Sequence, residues 1–188
     1  MNCLAEKLKI LRGSSKEAVE NTHSFNTFKK YMHIKRNLED ELISIILKSK
    51  ETIHKQLVLV CGSVGDGKSH LLSYLKNEKR LLDEFRLHND ATESLTPEMT
   101  SIETLDNVLK GFRDENLEDG KLERVIIAVN LGTLNNFIDS EIGKHYSRLH
   151  QYVVENGILE SYVNTPEFKE ESAFQHINFC DYHLYELT

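Results

Sequence analysis

The chain has 188 residues, 39% of them hydrophobic and 28% charged, with two prolines and no tryptophan. That composition supplies one ordinary folded domain with a small helical addition, and it excludes a disordered or fibrous chain. The net charge of −7 argues against non-specific DNA binding by the chain itself, because such affinity comes from Lys and Arg neutralising phosphates; contact with DNA would need a basic patch or a partner. The longest apolar run, residues 57–61, is far too short to span a bilayer. The start, Met1-Asn2-Cys3-Leu4-Ala5-Glu6-Lys7, turns charged at once and has no signal-peptide core. No membrane and a cytoplasmic location are therefore expected. Cys3, Cys61 and Cys180 are odd in number and widely spaced, which reads as reduced, independent thiols. The nine histidines include no HxxxH pair and there is no CxxC, so a structural zinc site is not expected.

Residues 1–50 read as an N-terminal helical segment and 51–188 as the core. Leu4, Leu8 and Leu11 recur at helical spacing, and Ser14 and Glu17 have the spacing of a capping box for a second helix. A third helix is expected over 35–50, with Leu38, Leu42, Ile45 and Ile46 on its apolar face. The continuous apolar run at 57–61 predicts a strand buried on both faces, as in a parallel sheet. A helix follows over 68–77, then a weaker strand at 85–88 and a polar loop at 89–97. Thr100 and Glu103 form another capping-box pattern, opening a helix that carries Leu105, Val108, Leu109 and Phe112. Residues 116–121 read as an acidic loop, the acidic stretch 114–119 as solvated, and 125–129 as a second buried strand. Residues 134–155 read as helical, and 174–179 as a last strand. Tyr146, Tyr152 and Tyr162 read as core or surface aromatics. The alternation of strand and helix predicts an α/β fold, a P-loop NTPase-type parallel sheet flanked by helices. Ligands in such sheets bind beyond the carboxyl ends of the strands, from which the loops at Gly62, Asn89, Asn130 and Cys180 would all leave.

Gly62-Ser63-Val64-Gly65-Asp66-Gly67-Lys68-Ser69 fits the phosphate-binding pattern GxxxxGK[ST] at every fixed position, between a buried strand and an amphipathic helix. Glycines let the backbone curl so that successive N–H groups point at one anion, and the following helix adds its N-terminal N–H groups and the positive end of its dipole. Lys68 is expected against the β- and γ-phosphates, and the Ser69 hydroxyl on Mg²⁺. Asp66, negative within a phosphate loop, is expected to point away from the anion. His70 is a weaker candidate for a nucleotide contact, and the basic trio Lys76, Lys79 and Arg80 reads as a solvated helix end. ATP with Mg²⁺ is the expected ligand.

Hydrolysis also needs an acidic strand end that holds the metal and orients water. The best apolar strand instead ends in Asn130, which cannot act as a base but stands where a phosphate-sensing polar side chain would. Asp90, Glu93 and Asp181 remain as candidate carboxylates, with Asp90 also a metal candidate. Asp90 can equally be a turn-forming residue.

Several stretches together resemble DptF proteins, also called DndF. They are Ser14-Ser15-Lys16-Glu17-Ala18-Val19-Glu20, the segment from Cys61 to Leu72, His88-Asn89-Asp90-Ala91-Thr92-Glu93-Ser94, Asn130-Leu131-Gly132-Thr133-Leu134-Asn135-Asn136-Phe137, and Asp181-Tyr182-His183-Leu184-Tyr185-Glu186-Leu187. The second and last are continuous with the phosphate loop and the final strand; the third and fourth discriminate best. The resemblance implies an ATPase component of a bacterial DNA phosphorothioation-dependent restriction system. Its partners would be sibling proteins of the complex, with DNA reached through the assembly and an oligomer allowed. Proteins of that family are longer, so the resemblance implies an N-terminal portion whose nucleotide core is incomplete at its C-terminal end. Two other readings stay open: a nucleotide switch or assembly scaffold with little hydrolysis, and a small phosphotransferase, against which the scattered arginines argue.

Overall fold

The structure is a computed structural model that describes residues 30–31, 33–89, 100–160 and 167–182. The expectations for helices within 1–29, for Asp90 and Glu93, and for Tyr162 lie outside the described residues.

The apolar run at 57–61 forms the core of β1 (Gln56–Gly62), in which all seven residues are buried. Burial of that kind requires neighbours on both edges as well as both faces. On one edge β3 (Arg124–Asn130) pairs in parallel, from Gln56 opposite Arg124 to Gly62 opposite Asn130. On the other, β4 (Phe174–Asn178) pairs in parallel, from Leu57 opposite Phe174 to Cys61 opposite Asn178. The short β2 (Arg86–His88) joins the outer edge of β3, giving the order β2–β3–β1–β4. Every described strand is parallel, so their carboxyl ends share one edge, as the alternation predicts.

Side chains of a strand alternate between its faces, and the two faces of the sheet carry separate cores. On one, α1 (Asn37–Glu51) and α2 (Lys68–Asn77) cover Val58, Val60, Ile126, Ala128 and Ile177. On the other, α3 (Ser101–Leu109), α4 (Leu131–Ile138) and α5 (Ser147–Glu155) cover Leu57, Leu59, Val125, Ile127 and Val129. Each of the Val, Leu and Ile side chains contributes about 1.5–3 kcal/mol when fully buried. Leu38, Leu42, Ile45 and Ile46 of α1 are all in the first of these cores, as their spacing predicts. Tyr146 and Tyr152 are buried too.

Local signals account for several boundaries. The capping box is present: Glu103 N donates to Thr100 Oγ1 at 3.2 Å, and Thr100 N donates to Glu103 Oε2 at 2.7 Å. The helical stretch expected over 134–155 is divided. The Ser140 hydroxyl donates to Phe137 O at 2.7 Å and accepts from Gly143 N at 3.0 Å, ending α4 before a short 3₁₀ turn, Ile142–Tyr146. The acidic loop is more than solvated surface. Asp114 accepts from Ser147 N at 2.8 Å and Arg148 N at 3.0 Å, capping α5. Lys55, whose side chain is 2% exposed, donates to Gly111 O at 2.9 Å and Asn116 O at 2.5 Å and pairs with Asp119 at 2.8 Å. A buried ammonium needs that ring of oxygens to replace its water.

His176 on β4 is buried, with Nδ1 2.9 Å from the Tyr152 hydroxyl. Burial, and secondarily the charge of Lys169, lowers its pKa to about 4. Between that value and the unfolded value of about 6.5, the unfolded chain binds a proton that the folded chain refuses. Stability therefore falls as pH drops through this window. His176→Asn is expected to remove about 2 kcal/mol of the stability lost between pH 7 and pH 5. Urea denaturation of both proteins at several pH values measures this, and equal slopes would refute the assignment.

Candidate functional site

Gly62 closes β1, and the chain then has to turn sharply into α2. A side chain at Gly62 would not fit: a Cβ there would lie 2.7 Å from Asp66 Oδ2 and 2.8 Å from Phe179 Cβ, at a φ of 154°. Gly67 stands at the N-cap of α2 with φ 90° and offers no side-chain cap, and no acidic residue lies in the first turn. The sequence thus leaves the first-turn N–H groups of α2 without a cap from Gly67 and without a local carboxylate on the helix.

The strand order gives this turn its setting. The chain leaves β1 toward α2 on one face and leaves β3 toward α4 on the opposite face. Neighbouring strands whose continuations diverge open a crevice at their carboxyl ends, here between Gly62 and Asn130.

Within the loop, Lys68 Nζ donates to Ser63 O at 2.5 Å. Val64 is at its exposed apex. Ser69 Oγ donates to Asn89 O at 3.4 Å, linking the start of α2 to the end of β2. The side-chain oxygen of Asn89 is buried and has no hydrogen-bond partner among the described residues. Of the oxygens here, the Ser69 hydroxyl is of the kind that Mg²⁺ takes alongside phosphate oxygens. Among the described residues no group of three His, Cys, Asp or Glu forms an all-protein metal cage.

The Asp66 carboxylate reaches back across the loop, where Oδ2 accepts from Ser63 N at 2.5 Å. The cause is local: a carboxylate three residues after a bare N–H can close on it, much as a helix cap does. Arg36, the residue before α1, braces the same turn. Its Nη1 donates to Asp66 O at 3.0 Å, and its guanidinium lies 5.1 Å from the centroid of the Phe179 ring. Nothing local in the sequence marks Arg36 as a neighbour of the loop, whereas Asn89 and the turn that opens at Phe179 stand at the sheet edge where the strand order predicts them.

The remaining candidates fall around this centre. Asn130 stands opposite Gly62, but its side-chain oxygen accepts from Thr133 N at 2.7 Å and caps α4. His70 pairs with His33, at 3.2 Å between Nε2 and Nδ1, and His33 Nε2 lies 3.0 Å from the buried Glu39. The His33 ring also stacks on Tyr74 at 3.7 Å, so this cluster ties α2 to the segment leading into α1. Asp181 is half-buried on the 3₁₀ turn Phe179–Asp181 that follows β4, at the same edge of the sheet. Its neighbour Cys180 is an exposed free thiol 3.7 Å from Ser63 Oγ. Cys61, beneath the loop, is buried, and burial pushes its thiol up to about 12, leaving it protonated and inert.

No protein-family model, curated protein or solved structure matches this chain. The described residues themselves define an α/β chain with a four-stranded parallel sheet flanked by helices, and none of their helices is long and apolar enough to cross a membrane.

The cap assigned to Asn130 is directly testable. Asn130→Ala is expected to cost about 1 kcal/mol of stability, and Asn130→Asp to retain most of it. Equal denaturation midpoints for the Ala variant and the native protein would contradict the cap.

Proposed function

We propose that the chain is a nucleotide-binding module of the P-loop NTPase type that takes ATP with Mg²⁺ at the 62–69 loop. The observation carrying this reading is that the loop joins the central buried strand to α2 at the mouth of the β1–β3 crevice, with Lys68 and Ser69 opening the helix. Backbone N–H groups of the loop and the first turn of α2 would hold the phosphates. Lys68, with only a backbone carbonyl to leave, would turn its charge to the β- and γ-phosphates. Ser69 would face Mg²⁺, with Asn89 near it. Asp90 and Asp181 are the proposed carboxylates for the metal and the attacking water.

The resemblance to DptF extends the reading to a component of a cytoplasmic DNA phosphorothioation-dependent restriction complex. ATP turnover would there drive assembly, translocation or activation of a DNA-cleaving sibling. With a net charge of −7, DNA contact falls to the partners. One observation favours a switch or scaffold with little hydrolysis: the strand beside β1 ends in neutral Asn130, whose oxygen is committed to α4.

Isothermal titration with ATP and Mg²⁺ tests the site. Lys68→Ala is expected to weaken binding about 100-fold, roughly 2.7 kcal/mol; unchanged affinity would remove this loop as the site. Turnover measured with Asp90→Asn and Asp181→Asn, in the presence of partner proteins and DNA, separates the ATPase from the switch. Loss in either variant supports hydrolysis, and no turnover in any protein supports the switch.

A further inference from the structure

We propose that Arg36 is a positioning residue for the phosphate site: it holds the Asp66 carbonyl on the α1 side of the loop and so aims the Gly67 N–H, the next donor in the chain, to the opposite side for a phosphate. The inference rests on reading the 62–69 loop as a nucleotide site. It gives Arg36 an indirect part there, exerted through the 66–67 peptide.

Three observations carry it. Arg36 Nη1 donates to Asp66 O at 3.0 Å. The 66–67 peptide is trans, so its C=O and N–H point in opposite directions, and whatever fixes the carbonyl fixes the Gly67 N–H as well. The N–H groups of Gly67, Lys68 and Ser69 have no hydrogen-bond acceptor among the described residues. Those of Ser63 and Asp66, by contrast, are taken up within the loop by Asp66 Oδ2 and Ser63 O. Bare donors at the start of a helix are where an anion is held, and Gly67 supplies the first of this set. The carbonyl of its peptide is the one a guanidinium pins. A charged donor on that carbonyl also polarises the peptide and strengthens its N–H as a donor.

The chain before α1 places Arg36 for this part. Lys30, His33 and Arg36 stand three residues apart, and their partners follow α2 backwards. Lys30 Nζ donates to Glu78 at 2.6 Å, the His33 ring stacks on Tyr74 at 3.7 Å and lies 3.2 Å from His70 Nε2, and Arg36 reaches Asp66. Each step passes roughly one turn of the helix, about 3.6 residues. The chain then enters α1, where Leu38 and Leu42 are buried. Arg36 is therefore held in place from both ends, with its guanidinium over the buried Phe179 ring. Its position is set by the fold around the loop. Lysine there would keep a charged donor without the planar contact, and methionine would keep an apolar contact with Phe179 without a donor.

The experiment is titration of ATP and of pyrophosphate, each with Mg²⁺, into the native chain, Arg36→Lys, Arg36→Met, Arg36→Gln and Lys68→Ala, with thermal melts and ¹H–¹⁵N spectra of each. Arg36→Met and Arg36→Gln are expected to bind both probes about tenfold more weakly, and Arg36→Lys to stay within about threefold of native. The Gly67 ¹⁵N resonance of the nucleotide-free chain should move in the Met and Gln variants, whose 66–67 carbonyl has lost its charged donor, and less in Lys. The Gln variant carries the comparison if Met impairs folding. Native-like binding by a Met or Gln variant that melts cooperatively overturns the inference, whatever its melting temperature. So does a Lys variant that binds as weakly as Met, or a loss confined to ATP, which would put Arg36 at the base or ribose. If the native chain binds neither probe, or Lys68→Ala binds both as tightly as native, the nucleotide reading itself falls and takes this inference with it.

Discussion

β1 cannot stand at the margin of a sheet, because every residue from Gln56 to Gly62 is buried. Its apolar run has no polar face to offer water, so it must be covered by helices on both sides and paired along both edges. Parallel partners β3 and β4 meet that demand, and the parallel direction forces all the strand ends to one side. The position of the 62–69 loop is thus a consequence of core burial. Gly62 arrives opposite Asn130 at the carboxyl edge, and the divergence of α2 and α4 to opposite faces opens the crevice there.

The electrostatics of the loop follow from what the glycines leave bare. Curled backbone supplies N–H donors and carbonyls that need partners. Lys68 takes one carbonyl of the loop, Arg36 another, and Asp66 takes an N–H. Two cations and one anion are therefore poised on a backbone rich in donors. On the proposed reading, the two cations and the bare N–H groups are what an incoming phosphate would meet. Ser69 and Asn89 connect this centre to the end of β2, and Asp181 approaches from the turn after β4.

Much of the framework is legible in the sequence because it rests on local periodicity. Continuous apolar runs mark β1 and β3 within two residues, and the helix at 68–77 keeps its expected bounds. The Thr100–Glu103 capping box is legible for the same reason, since both partners lie within one turn. The contacts that shape the site are not local. Arg36 reaches Asp66 across 30 residues, and Lys55 draws Asp119 and the carbonyls of Gly111 and Asn116 around itself from the far side of α3. Periodicity carries no information about such pairs. The tie of the Asp66 carboxylate to Ser63 N is a matter of loop conformation, which periodicity does not encode either. Asn130 stands out in the sequence for its place at the strand end, and its tie to Thr133 follows from α4 starting at the next residue.

The central claim is that phosphate is held by the backbone N–H groups at the turn from β1 into α2. Amide ¹⁵N–¹H shifts of the chain, followed as ATP and Mg²⁺ are titrated in, test it most directly. The account expects the largest shifts at residues 63–70, with smaller ones at Asn89 and Asn130. No saturable shift in that loop, or shifts centred on another edge of the sheet, would contradict it.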